Sequence, residues 1–238
     1  MHKDAVNNKK DLIETDAMTS ITIDCVIFGF QEGSLEILLV KHAEGISKGK
    51  WGLPGGWIKK KESTDAAAYR LLRELTGLDK LFLEQLKAFG DPDRFPLDRV
   101  ITIGYYALVK RENYRLKAGF TASEVGWFKM KDIPDLIYDH NQILNFSLRH
   151  LRNRIRQAPI GFNLLPEKFT LLELMHLYEE ILGIEMDKPN FRRKILKMKL
   201  LRDLNEKQVG VSHRAAKLYS FDEKIYHKLT EKGFNFEF

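Results

Sequence analysis

The sequence predicts a layered α/β domain followed by a smaller winged helix-turn-helix. Three observations carry this reading. Two β-branched and apolar runs, 20–30 and 35–41, are separated by a Gln-Glu-Gly-Ser hairpin signature and followed by an alanine-rich helical stretch and further strand-like runs. Ala158-Pro-Ile-Gly-Phe-Asn then breaks the helical pattern, and beyond it short helices and one hairpin take over. Charge changes at the same place: residues 1–150 hold 22 basic and 21 acidic side chains, residues 151–238 hold 17 and 12.

Taken in order, residues 1–19 are polar and read as an N-terminal arm. Residues 20–157 form the first domain. After the hairpin, Trp51-Gly-Leu-Pro-Gly-Gly56 reads as a turn leading out of the sheet. Ser63 or Thr64 caps a helix that stops near Gly77. Strands are expected at about 81–90 and 100–110, joined by Asp91-Pro-Asp-Arg-Phe-Pro, and again over Glu124–Phe128. Pro134 begins a helical region that resumes from Asp139 to Gln157. Residues 158–238 form the second domain, with a helix from Phe169 to Leu182 closed by Gly183. A second helix is capped by Asp187 and carries Pro189 in its first turn. Strands at Leu200–Leu204 and Ala215–Phe221 and a last helix from Phe221 to Lys232 follow.

The chain of 238 residues carries a net charge of +6 and enough apolar side chains for a sizeable core. No apolar run approaches a membrane span, no signal-peptide pattern opens the chain, and no membrane partner is expected. Cys25, the single cysteine, sits in a strand-like run and reads as a small buried hydrophobe. A reducing cytoplasm fits.

Between Gly56 and Leu78 the chain reads Gly, five residues, Glu62, seven residues, then Arg70-Leu-Leu-Arg-Glu74-Leu-Thr-Gly77-Leu. The spacing resembles the Nudix box, in which Arg-Glu-apolar-x-Glu-Glu-x-Gly presents three clustered carboxylates. Leu71, Glu74 and Leu75 fall at i, i+3 and i+4 and share one helix face. Where the box would converge carboxylates on a divalent metal that activates water, this face holds Leu-Glu-Leu. Glu74 reads as a helix carboxylate paired with Arg70, and no metal, cofactor or catalytic residue is expected.

Lys188 to Arg202 holds seven basic residues and no acidic one. At 100° per residue, Phe191, Ile195 and Met198 form a packing stripe, while Asn190, Arg193, Lys194 and Lys197 gather on the opposite side with Arg192 and Lys199 on a flank. Arginine forks onto guanine, asparagine pairs with adenine, and lysines hold phosphates. A helix, a turn, this helix and a hairpin give the order of a winged helix-turn-helix on double-stranded DNA, with Lys207, His213 and Arg214 on the wing.

The two halves together resemble Nudix-related transcriptional regulators of the NrtR type. Further carriers are Asp91-Pro-Asp-Arg94, Tyr105-Tyr106-Ala-Leu, Glu124-Val-Gly-Trp-Phe, Asp139-His140 and Asn190-Phe-Arg-Arg-Lys194. The resemblance implies a Nudix-like α/β/α sandwich with a mixed sheet, a homodimer, and a palindromic operator engaged or released according to a small-molecule effector. One branch responds to ADP-ribose, another, beside sugar-catabolism genes, to pentoses such as arabinose. A face stripped of carboxylates fits a neutral sugar better than a metal-clamped pyrophosphate. Trp57, Arg70, Glu74, Arg94, Asp98 and Tyr105 are the candidate effector contacts, while Trp51 and Trp127 are assigned to packing. The alternatives are a Nudix hydrolase of ADP-ribose or a related nucleoside diphosphate, with metal held by Glu62, Glu74 and Glu124, and an RNA-binding adaptor using the same basic helix.

Overall fold

The structure, a computed structural model, describes residues 20–237 apart from Lys80, Phe120 and His213, so the arm at 1–19 lies outside the described residues. Strands β1 (Ser20–Gln31) and β2 (Ser34–His42) form the expected hairpin. Its two loop residues, Glu32 and Gly33, both take positive φ, 50° and 75°, as a two-residue turn matched to strand twist demands.

Two short strands, β3 (Trp51–Gly52) and β4 (Gly55–Trp57), follow. They correct the expectation of a turn leaving the sheet, because β3 pairs with β2 and β4 with β1. After helix α1 (Thr64–Thr76) come β5 (Glu84–Phe89), β6 (Val100–Val109) and β7 (Ala122–Lys129). β1 runs parallel to β6, and the other pairings are antiparallel, so the sheet is mixed, in the order β3-β2-β1-β6-β5 with β7 beside β2.

Alternation along β1 builds both layers. Ile23, Cys25 and Ile27 face α1, whose Ala67, Ala68, Leu71, Leu72 and Leu75 fill that side. Val26 and Phe28 share the other core with Ile143, Leu144, Leu151 and Ile155 of α2 (His140–Gln157). Ser63 caps α1 through the Ala66 amide (3.2 Å), and Gly77 ends it at φ 76°. The region after Pro134 is not helical. Leu136 bridges to Trp51 and the Ile137 amide bonds the Trp51 carbonyl at 3.0 Å, and a turn through Tyr138, at φ 51°, then leads into α2.

The second half is α3 (Leu171–Leu182), α4 (Lys188–Lys197), β8 (Leu201–Lys207), β9 (Lys217–Phe221) and α5 (Glu223–Thr230). α3 starts later than Phe169 because Thr170 and Glu173 close a capping box, while Phe169 pairs with Tyr219 of β9. α5 is shorter at both ends than expected, with Asp222 as its cap. The core crosses the expected division at 157–158: Leu35 and Leu39 of the sheet belong to one cluster with Leu174, Tyr178, Phe191 and Ile195. The Leu35 amide also donates to Glu180 of α3 at 3.3 Å. Among the described residues, no helix is long and apolar enough to cross a membrane.

Candidate functional site

A cleft of about 230 Å³ opens where β1, β4, the 91–100 loop and the start of α2 converge. Its rim is aromatic. Trp57 is 51% exposed and meets Phe95 edge-on at 6.2 Å, Phe95 meets Tyr138 at 5.1 Å, and Tyr138 meets His140 at 5.9 Å. Tyr138 is further fixed by a 2.5 Å hydrogen bond with Ser47.

Its floor is a buried charged network. Arg94 donates to both oxygens of Asp139 (3.0 and 2.8 Å) and to Asp24 Oδ2 (3.2 Å). Two carboxylates around one guanidinium use Arg94's planar fork, which lets the charge sit inside the protein. His140 Nδ1 accepts from the Leu53 amide at 2.9 Å, leaving Nε2 to face Asp24 Oδ1 at 3.4 Å. Burial pushes the His140 imidazole's pKa below its ordinary value, with Asp24 and Asp139 acting in the opposite sense. His42 is lowered too, first by burial and then by His140. Among the described residues, Thr22 Oγ1 and His42 Nε2 are buried without a hydrogen-bond partner, and both residues line the cleft. Such groups are costly unless something fills the space and bonds them.

Of the six candidate effector contacts, the structure brings Trp57 and Arg94 together here; the other four do not line the cleft. Tyr105 is 1% exposed, and its hydroxyl bonds Asp65 (2.5 Å) and Gln85 (3.1 Å), because β6 alternation turns it towards α1. Asp98 accepts from Ser20 and from the Arg99 amide in an exposed loop. Arg70 is taken up by the box: it grips Glu62 at 2.5 and 2.9 Å, Glu74 at 3.0 Å and the Trp57 carbonyl at 2.9 Å. Arg70 pulls the Glu62 carboxyl down to about 2. Asp24, His42, Phe95, Tyr138 and His140 escaped the sequence reading as contacts. Only the adjacent Asp139-His140 gave a signal.

The box offers a divalent cation few free carboxylates. Leu71 and Leu75, each 7% exposed, are part of the core, and a Cβ at Gly56 would lie 2.8 Å from Leu71. Glu62 and Glu74 are paired with Arg70, and Glu124 with Lys41 at 2.7 Å. Among the described residues, no three His, Cys, Asp or Glu side chains are placed to share one ion.

The second candidate site is on α4. Asp187 accepts from the Asn190 amide at 3.0 Å, and Phe191 and Ile195 anchor the helix in the core. Asn190, Arg192, Arg193, Lys194, Lys197 and Lys199 are all exposed. Arg193 donates to Asn190 Oδ1 at 2.6 Å, so these two form a preset pair. A groove of about 740 Å³ joins α4 to the wing, with Lys188 and Arg192 on one side and Lys207, Arg214 and Lys217 on the other. His213 lies outside the described residues. At the wing tip Val209 is 95% exposed.

Residues 18–147 match the NUDIX domain model, and residues 161–221 match the NrtR DNA-binding winged helix domain. The chain is 31% identical over 87% of its length, and 83% of the relative's, to the ADPR responsive transcriptional repressor NtrR of Acinetobacter baylyi. It is 33% identical, over 51% of its length and 70% of the relative's, to an ADP-ribose pyrophosphatase of Methanocaldococcus jannaschii. The crystal structure of Shewanella oneidensis NrtR complexed with a 27mer DNA superposes with a TM-score of 0.71 at 29% identity, covering 84% of this chain and 93% of that one. The NUDIX domain of the same protein complexed with ADP ribose gives 0.53 at 29% identity, over 57% and 90%. With a mixed sheet packed between helices and joined through one core to a winged helix, and with these matches over both halves, the chain belongs to the NrtR-type family of transcriptional regulators, built from a Nudix domain and a DNA-binding winged helix.

Proposed function

We propose that the chain is a ligand-controlled transcriptional regulator in which α4 and the wing engage duplex DNA and the aromatic-rimmed cleft holds the effector. Two copies forming a homodimer would present two reading helices to the half-sites of a palindromic operator. Cleft occupancy would shift the population that can engage both.

The effector reading rests on one observation: Arg94, Asp24 and His140 form a polar floor under Trp57, Phe95 and Tyr138 in a space of about 230 Å³. Sites for drug-sized ligands run from about 300 to 1,000 Å³. A compact polyol, a pentose such as arabinose, matches this smaller volume, with hydroxyls meeting the floor and its ring face on the rim. ADP-ribose is the second reading, favoured by the relatives whose names carry that ligand. A nucleoside diphosphate sugar would seat its ribose in the cleft and extend past Trp57. Catalytic hydrolysis is not part of the proposal, since the box carboxylates are ion-paired or replaced by leucine.

Titration calorimetry of the full chain with arabinose, ribose and ADP-ribose tests the reading. Saturable binding of a pentose that weakens in Arg94→Lys supports it. Tight ADP-ribose binding with no pentose binding transfers the effector assignment to the second reading, and no binding of any of the three removes the cleft as a sensor.

A further inference from the structure

A second concave site, of about 360 Å³, lies where the C-terminal ends of β1 and β6 meet the segment entering the winged helix. Its walls are Phe30, Tyr114 and Trp127, with Leu164 and Pro166 contributed by the second half of the chain. Trp127 is set firmly: a Cβ at Gly29 would lie 3.0 Å from its ring, so its indole rests on bare backbone. Arg111 stands over the same indole with its guanidinium carbon 5.9 Å from the ring centroid. Glu36, only 5% exposed, holds Arg111 there through a 2.6 Å hydrogen bond.

Beside this stack is Lys110, half-buried, whose ammonium has no ion-pair or hydrogen-bond partner among the described residues. Its charge is therefore available to an anion in the cleft. Arg111 spends one hydrogen bond on Glu36 and keeps further donors for a second acceptor. Two cations lining one cleft with three aromatic rings match a planar ring that bears an anionic group. Glu112, exposed on the rim, disfavours a highly charged anion such as a triphosphate.

We infer that this cleft binds a small planar anion, its ring among Phe30, Tyr114 and Trp127 and its acid group between Lys110 and Arg111. An aromatic carboxylate and a nucleoside monophosphate share that chemistry. The inference is independent of the effector cleft, with which it has no lining residue in common.

The test uses the full chain labelled with nitrogen-15, titrated separately with 4-hydroxybenzoate and with AMP. The three tryptophan indole signals are the readout, and the signal missing in Trp127→Phe identifies Trp127. At least one probe is expected to shift the Trp127 signal saturably while Trp57 stays put, with about tenfold weaker binding in Lys110→Ala. A response to the carboxylate or to the monophosphate alone selects that source. The proposal is overturned if neither probe moves Trp127, if Lys110→Ala leaves the titration unchanged, or if saturating arabinose abolishes it.

Discussion

Arg152 Nε on α2 donates to the Ile181 carbonyl on α3 at 2.7 Å. That carbonyl belongs to the last turn of α3, where the helix itself leaves acceptors unsatisfied, so an arginine from another helix completes the cap. α2 starts at His140 on the cleft floor, and α3 ends at the turn into α4. One helix therefore spans from the cleft floor to the helix-turn-helix. Arg152→Ala is expected to leave effector affinity within about twofold while weakening effector-driven DNA release about tenfold, a coupling loss near 1.4 kcal/mol. Calorimetry and DNA anisotropy on the same variant check the two halves. An unchanged effector response would place the coupling elsewhere.

On the reading helix, Arg193→Ala should cost about 1–3 kcal/mol on the preferred duplex and relax discrimination at one base position. Because Arg193 is bonded to Asn190, the double variant with Asn190→Ala should cost less than the sum of the singles. Lys197→Ala should weaken all duplexes alike and lower the salt slope by about 1. Competition binding with base-substituted duplexes at several salt concentrations separates these outcomes.

Acid sensitivity should originate in the cleft floor. The His140 pKa in the folded protein lies below its ordinary value of 6.5, first because of burial. The folded state therefore binds fewer protons than the unfolded chain between those two values. Stability is full above 6.5 and falls as pH drops below it towards the folded pKa. His140→Asn keeps an acceptor for the Leu53 amide and removes the titration, so urea midpoints across this range should fall less steeply with acid than in the parent. Equal slopes would assign the acid sensitivity to other groups, His42 first.

Restoring the box tests the other face of the sheet. Leu71→Glu with Leu75→Glu puts two carboxylates into the buried cluster that also holds Cys25, Leu38 and Ala68. The cost should be about 4 kcal/mol or more at neutral pH. Magnesium or manganese should restore part of it, since a bound cation neutralises what the core cannot. Full stability of the double variant without metal would mean that these positions are more open than their 7% exposure describes.

Much of the architecture was legible because local signals agreed with the fold. Ser63, Gly77, Gly183 and Asp187 each terminate a helix as their chemistry requires, and the apolar stripe Phe191–Ile195 packs as the helical wheel places it. Alternation along β6 assigns Tyr105 and Tyr106 to opposite faces but does not say which faces α1; Tyr105 does, and neither lines the cleft. Asp24 and His140 lie 116 positions apart and meet across the β3–β4 segment, whose Pro54 carbonyl accepts from the Cys25 amide and whose Leu53 amide donates to His140, an arrangement no local pattern encodes. The same holds for the continuous core across residue 157: the break in pattern there is real, yet α3 finds its partner in β2.

The most direct measurement is fluorescence anisotropy of a palindromic duplex, selected from random sequence by the full chain, titrated with protein in the absence and presence of a cleft ligand. Sequence-selective binding that depends on Arg193 is expected, with a ligand-induced change in affinity that is lost in Arg94→Lys. Selective binding that no cleft ligand alters, or no duplex preference at all alongside metal-dependent pyrophosphate cleavage, would contradict that expectation.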